Sequence, residues 1–161
     1  MLNAVINSTP LISLHCIDKL DVLGNLYSNV YIPYAVFEEV NADDINPMTK
    51  DLLLSFPFIS IVKVSNLSAS KYFKTALHSG EVETMILADE LKADICIIDD
   101  RTARNYAISL GLKITGTIGV LIKAKEKGII DKMIPLLDLL IENEIYVSDK
   151  LYESIKKIVG E

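Results

Sequence analysis

The stretch Ala93-Asp-Ile-Cys-Ile-Ile-Asp-Asp-Arg-Thr-Ala-Arg104 decides how this chain folds. Ile95 to Ile98 is apolar on both alternating faces, the pattern of a strand covered on two sides, as inside a parallel sheet. Asp99 and Asp100 stop that run, and Arg101 to about Leu110 follows with helical spacing until Gly111 closes it. A buried strand that runs out into acids and then a helix is a junction of an α/β fold, and ligands of open α/β sheets gather at the carboxyl ends of the strands.

Working outward, the same junction recurs. Leu2 to Ile6 is a short apolar run ended by Asn7-Ser8-Thr9-Pro10, where Ser or Thr caps a helix and Pro suits its first turn. Leu11 to Ile17 falls at helical spacing, and Leu20, Leu23, Leu26 and Tyr27 predict a second short helix. Val30 to Ile32 reads as a strand, with Pro33 opening a helix over Tyr34 to Val40. Pro47 starts a short helix through Leu54, Phe58 to Val64 reads as a strand, and a helix runs from Ser79-Gly80 to Leu91. Beyond Gly111, Lys113 to Thr115 is a short strand and Gly116-Thr117 opens a helix that ends at Lys127-Gly128. Alternation of this kind implies right-handed crossovers and a three-layer α/β/α sandwich with a parallel, Rossmann-like central sheet. The segments 131–143 and 149–159 are amphipathic helices that pack on the rim; with no repeat and no linker, residues 1–161 read as one domain.

Half of the 161 residues are hydrophobic, mean hydropathy is +0.33 and only five residues are proline, which excludes disordered and collagen-like classes. Sixteen Lys and Arg against 22 Asp and Glu give a formal charge of −6, which excludes a protein that grips nucleic acid by neutralising many phosphates. Cys16 and Cys96 lie among apolar residues without C-x-x-C spacing and read as core packing in a reducing compartment. With no basic leader and no long apolar window, the expectation is a cytoplasmic protein with no membrane contact.

The acids recur at one end of the expected sheet. Glu38 and Glu39 lie one to two turns into the helix after strand two, Glu81 and Glu83 begin the helix before the Ile95 strand, and Asp99-Asp100 terminate that strand. Two carboxylates about 4 Å apart repel by roughly 4 kcal/mol at an effective dielectric of about 20, and a divalent cation removes that penalty. Oxygen donors without Cys or His suit Mg²⁺ or Mn²⁺, which activate water and stabilise both oxygens of a phosphodiester displacement. Each pair also has a plainer role: Glu38 and Glu39 as solvated helix residues, Glu81 and Glu83 as partners of a helix dipole, Asp100 as a helix N-cap.

Other chemistries find no support. Gly111-Leu-Lys-Ile-Thr-Gly116 has the outer glycine spacing of a phosphate-binding loop, but Thr117 replaces the lysine. There is no G-x-S-x-G, no H-E-x-x-H and no strand-associated G-x-G-x-x-G, and His15 and His78 are far apart in sequence. A phosphoacceptor at Asp99-Asp100 lacks a placed lysine and a first-strand acid pair.

Six segments in order resemble a prokaryotic subgroup of the PIN-domain family: Val5 to Ile12, Ile32 to Val40, Gly80 to Ala88, Ile97 to Arg104, Gly111 to Gly119 and Ala124 to Gly128. The resemblance spans nearly the whole chain and implies a Rossmann-like domain, many of whose relatives are metal-dependent ribonucleases such as the VapC-type toxins of toxin–antitoxin pairs. It implies Mg²⁺ or Mn²⁺ held by position 7, Glu39 (Glu38 in the other register), Glu81 (or Glu83) and Asp99 or Asp100, with an RNA substrate, an antitoxin partner and a homodimer. Position 7 departs from the family: Asn7 stands where an Asp is usual, so an amide oxygen replaces a charge. Ser8 and Thr9 would then sit beside the metal, able to bond a ligand water or a phosphate. Arg101 and Arg104, the only arginines, lie three apart on one helix, placed either to clamp phosphates or to pair with the neighbouring acids.

Overall fold

The computed structural model describes residues 1–72 and 77–161. In chain order it forms β1 (Leu2–Ile6), α1 (Ser8–Cys16), α2 (Asp21–Leu26), β2 (Tyr27–Pro33), α3 (Tyr34–Asn41), α4 (Lys50–Leu54) and β3 (Ile59–Val62). After a 3-10 turn at Leu67–Tyr72 come α5 (Ser79–Glu90), β4 (Ile95–Ile97), α6 (Arg101–Ser109), β5 (Ile114–Thr115), α7 (Thr117–Glu126), α8 (Ile134–Glu142) and α9 (Asp149–Val159). The five strands form one sheet in the order β3-β2-β1-β4-β5, and every pairing is parallel.

The period-2 alternation of the strands builds the two cores. Ala4 and Ile6 of β1 point to one face with Leu11 and Leu14 of α1, Leu121 of α7 and Leu137 of α8. Val5 points to the other, with Met85 and Leu87 of α5 and Ala103 of α6. On β4, Ile97 joins the first core and Cys96 the second, as does Ile98 just beyond the strand. Helices therefore cover both faces, as the apolar run at Ile95 to Ile98 requires. α8 adds Leu136, Leu137 and Leu140 to the first core, and α9 adds Ile155.

Some boundaries differ from the sequence expectation, each for a local reason. β2 begins at Tyr27, whose side chain is buried and which pairs with Leu2, so α2 ends one residue earlier than its apolar spacing suggests. α4 starts at Lys50, because Thr49 caps it by accepting from Leu52 N–H at 3.2 Å. β3 is confined to Ile59–Val62, the residues that pair with β2. Cys96 is core, as expected, but Cys16 at the end of α1 is exposed, because the helix turns that position outward. Among the described residues no helix is long and apolar enough to cross a membrane.

The chain fills β2 and β3 on one side of β1 and then returns to fill β4 and β5 on the other. The crevice where this order reverses, between the carboxyl ends of β1 and β4, is where open sheets bind ligands.

Candidate active site

Asn7 leaves β1 at that crevice. Its N–H donates to the Ile97 carbonyl of β4 at 3.0 Å, which ties the two strand ends together. It occupies the N-cap position of α1, yet its amide makes no capping bond, and the residue is only 4% exposed. The next residue, Ser8, is buried and its hydroxyl donates to Glu39 Oε2 on α3. Both neighbouring acids are exposed on α3, and of the two it is Glu39 that meets the start of α1.

Glu39 needs room, and Gly80 provides it. A Cβ at Gly80 would lie 2.5 Å from Glu39 Oε1, so the carboxylate rests on the bare backbone of the first turn of α5. The same two helices are locked the other way round by Glu83, whose Oε2 accepts from Ala35 N–H at 2.8 Å in the first turn of α3. Pro33 at the N-cap of α3 has no side-chain oxygen to do this. Glu81, 9% exposed, turns back to accept from His78 N–H at 2.9 Å and closes the capping box of α5.

On the opposite side of β1, the two aspartates separate. Asp100 caps α6, its Oδ2 accepting from Ala103 N–H at 2.9 Å. Asp99 instead faces α7: Oδ1 accepts from Thr117 N–H at 2.7 Å and Oδ2 from the Thr117 hydroxyl at 2.6 Å. Gly116 makes this approach possible, since a Cβ there would stand 2.6 Å from Asp99 Oδ1 and 3.0 Å from Arg104 Nη1. Arg104 donates to the Ile98 carbonyl at 2.8 Å and so braces the strand end below Asp99, whereas Arg101 is exposed on the first turn of α6. Thr9, Asp99 and Thr117 line one end of a cleft of about 230 Å³ that continues toward the segment between α8 and α9.

The structure therefore gathers Asn7, Ser8 and Glu39 at one flank of the crevice and Asp99 at the other, and gives Glu81, Asp100 and Arg104 bonds to backbone groups. Sequence reasoning missed Thr117, Gly80 and Gly116. The signal for two of them was present: Gly116-Thr117 follows a strand at the same sheet end as Asp99, but only its helix-starting role was read. Glu39 and Asp99 are hard oxygen donors, as are the Asn7 amide and Ser8 hydroxyl, and a Mg²⁺-like ion is held through one or two carboxylates with waters and substrate phosphate completing its shell. Among the described residues no three His, Cys, Asp or Glu side chains come together to hold an ion. The donor set fits an ion that needs its substrate, rather than an all-protein cage.

No curated protein matches the chain. A family model described as a PIN domain matches residues 3–161. That description points to nuclease activity in general, in a family that generally uses divalent metal ions. With an all-parallel five-stranded sheet and acids placed at its switch point, the chain belongs to the PIN-domain family.

Proposed function

We propose that this chain is a metal-dependent endoribonuclease of the VapC-like subgroup, working as the toxin of a toxin–antitoxin pair in the cytoplasm. The observation that supports it best is the link from Asn7 N–H to the Ile97 carbonyl, which ties the strand end leading to Ser8 and its partner Glu39 to the strand end leading to Asp99. Glu39 and Asp99, with the Asn7 amide oxygen, are the residues that would hold Mg²⁺ or Mn²⁺. Bound there, such an ion supplies charge neutralisation and Lewis acidity for phosphodiester hydrolysis. Ser8 fixes the Glu39 carboxylate and Thr117 fixes that of Asp99, so both acids are oriented before substrate arrives. Glu81 secures the start of α5, on which Glu39 rests. Thr9 and Arg101, both exposed beside the crevice, are free to meet phosphate oxygens.

The test is cleavage of RNA by the purified protein with Mn²⁺ or Mg²⁺, and its loss in EDTA and in Glu39→Gln and Asp99→Asn. The amide at position 7 favours a second reading, a catalytically weak module that binds nucleic acid in a regulatory role. That reading prevails if the natural chain cuts no RNA under any metal and Asn7→Asp creates cleavage. A short neighbouring reading frame encoding a DNA-binding protein is the expected sign of an antitoxin partner.

A further inference from the structure

A cleft of about 310 Å³ opens at the amino ends of the strands, the end of the sheet opposite Asn7 and Asp99. Its wall takes the first residue of four neighbouring strands, Tyr27, Leu2, Ile95 and Ile114, together with Leu26 and Thr115. α7 adds Gly119, Lys123 and Lys127, which stand four apart and so form one stripe of that helix. Gly119 lets the helix approach the sheet, since a Cβ there would collide with the Thr115 hydroxyl. Tyr27 reaches this cleft through an irregularity in its strand. Tyr27 and Val30 both belong to the first core, although residues three apart in a regular strand face opposite ways. The register with β1 slips between Leu2 and Asn3, leaving Ser28 as an extra residue, and this bulge turns Tyr27 onto the face of Leu2. The residue is 5% exposed, yet no group among the described residues bonds its hydroxyl. No unbonded polar side-chain atom among those residues is sealed from solvent, so the hydroxyl opens into the cleft that Tyr27 lines. A partner from outside the chain, water or ligand, has to satisfy it. Burial pushes the phenol up from its ordinary 10.0, so at neutral pH it is a donor.

Charge narrows the choice of ligand. The lining holds two lysines and no acid, in a chain of net charge −6. The Lys127 ammonium has no partner among the described residues, and Lys123 pairs with Glu126 at 3.2 Å on the exposed surface, a contact that a ligand displaces at little cost. We propose that the cleft binds a small organic anion with an apolar body. Its head group, a carboxylate or a phosphate monoester, accepts hydrogen bonds from the Tyr27 hydroxyl and the Lys123 and Lys127 ammonium groups, and its hydrocarbon covers Leu2, Leu26, Ile95 and Ile114. An inorganic anion would leave those apolar walls unused, and a neutral hydrocarbon would leave the lysines and the phenol unmet. A cavity of roughly 150 Å³ admits a benzene ring, so by that measure 310 Å³ takes a body of up to about twelve carbons. The cleft shares no residue with the acids at the other end of the sheet, so the proposal stands apart from the nuclease reading.

Isothermal titration calorimetry of the full chain with octanoate, octyl phosphate, octylammonium and acetate tests this without relying on cleavage. Octanoate or octyl phosphate should bind, the tighter of the two naming the head group, while octylammonium and acetate bind at least about 10-fold more weakly. Tyr27→Phe should lose about 10- to 100-fold in affinity for the anion. Because its hydroxyl has no partner in the chain, it should melt with the natural protein. The double variant Lys123→Gln, Lys127→Gln should weaken binding about 2- to 30-fold and flatten its dependence on salt. Equal binding of octanoate and octylammonium overturns the proposal, as does a natural chain that binds neither anion at millimolar concentration. Tyr27→Phe that binds like the natural chain also overturns it, and so does Tyr27→Phe that melts lower, which would place the hydroxyl in a bond within the fold.

Discussion

Adjacent aspartates with different bonds allow a sharp separation of stability from chemistry. Asp100 closes the first turn of α6 through a 2.9 Å bond from Ala103 N–H, so Asp100→Ala should cost about 1 kcal/mol, the usual value of an N-cap. For a domain of this size that is a fall of roughly 2–4 °C in melting temperature. Asp100→Asn keeps a capping oxygen and should melt close to the natural chain. Asp99 is different, because its two oxygens are held by Thr117 and its neighbour Gly116 leaves space for them. Asp99→Asn preserves shape, and its amide still accepts from Thr117 N–H while the Thr117 hydroxyl turns to accept from the new NH₂. Its stability should therefore change little, yet it removes a charged ligand. Since loss of a group that merely orients a ligand costs about 10- to 100-fold, loss of the ligand itself should exceed about 100-fold. Thermal melts by circular dichroism, beside Mn²⁺-dependent cleavage of a fluorescent RNA well below both melting temperatures, read the two effects independently. Asp100→Ala that is folded but inactive, or Asp99→Asn that cuts at the natural rate, would refute the assignment.

The orienting role of Thr117 is checked by Thr117→Val, which keeps the branched shape but deletes the 2.6 Å hydroxyl bond to Asp99. Cleavage should fall about 10- to 100-fold with only about 1 kcal/mol of stability lost at this part-buried carboxylate, and Thr117→Ser should restore both. Gly116→Ala drives a methyl to 2.6 Å from Asp99 Oδ1, so it should lower stability by about 1–3 kcal/mol and impair cleavage, read by melts and kinetics on one preparation. Burial pushes the Cys96 thiol up to about 12 from 9.0, while Cys16 is exposed. A thiol reagent at pH 8 should label Cys16 alone until denaturant is added. Above about pH 9 the unfolded Cys96 ionises and the folded one does not, so stability should fall with rising pH more steeply in the natural chain than in Cys96→Val.

The layered fold was legible because strand and helix periods in this chain agree with burial. Ile95 to Ile98 carries no polar face, and the structure indeed covers both sides of it, with Ile97 in one core and Cys96 and Ile98 in the other. Where the periods conflict, the reading slipped: Tyr27 fits the apolar stripe of α2 but pairs with Leu2 across the sheet, and a long-range pairing is invisible to local spacing. The site was legible only as a set of positions. That Asp99 and Asp100 divide their work depends on which carboxylate meets Ala103 N–H and which meets Thr117, a difference of one residue in backbone direction that no spacing encodes. Gly80 is equally opaque, because its role is the absence of a Cβ under a carboxylate from another helix.

Position 7 is where charge, fold and chemistry meet. Asn7 is 4% exposed, with Ser8 carrying Glu39 on one side and the strand end that leads to Asp99 on the other. A third carboxylate there would add repulsion of the order of 4 kcal/mol for each partner within about 4 Å at an effective dielectric of about 20, with no cation among the groups bonded to Glu39 or Asp99 to offset it. The neutral amide lets the fold stand without metal, held by hydroxyl and backbone donors alone. Asn7→Asp should therefore melt lower than the natural chain in EDTA and gain more from added Mn²⁺, since an ion that binds only the folded state contributes about 2.7 kcal/mol at a hundredfold excess over its dissociation constant. Melting curves of both proteins with and without Mn²⁺ decide the matter. If Asn7→Asp melts with the natural chain in EDTA, or if Mn²⁺ raises neither, then the acids around position 7 do not share an ion site, and the oxygens gathered there serve the fold alone.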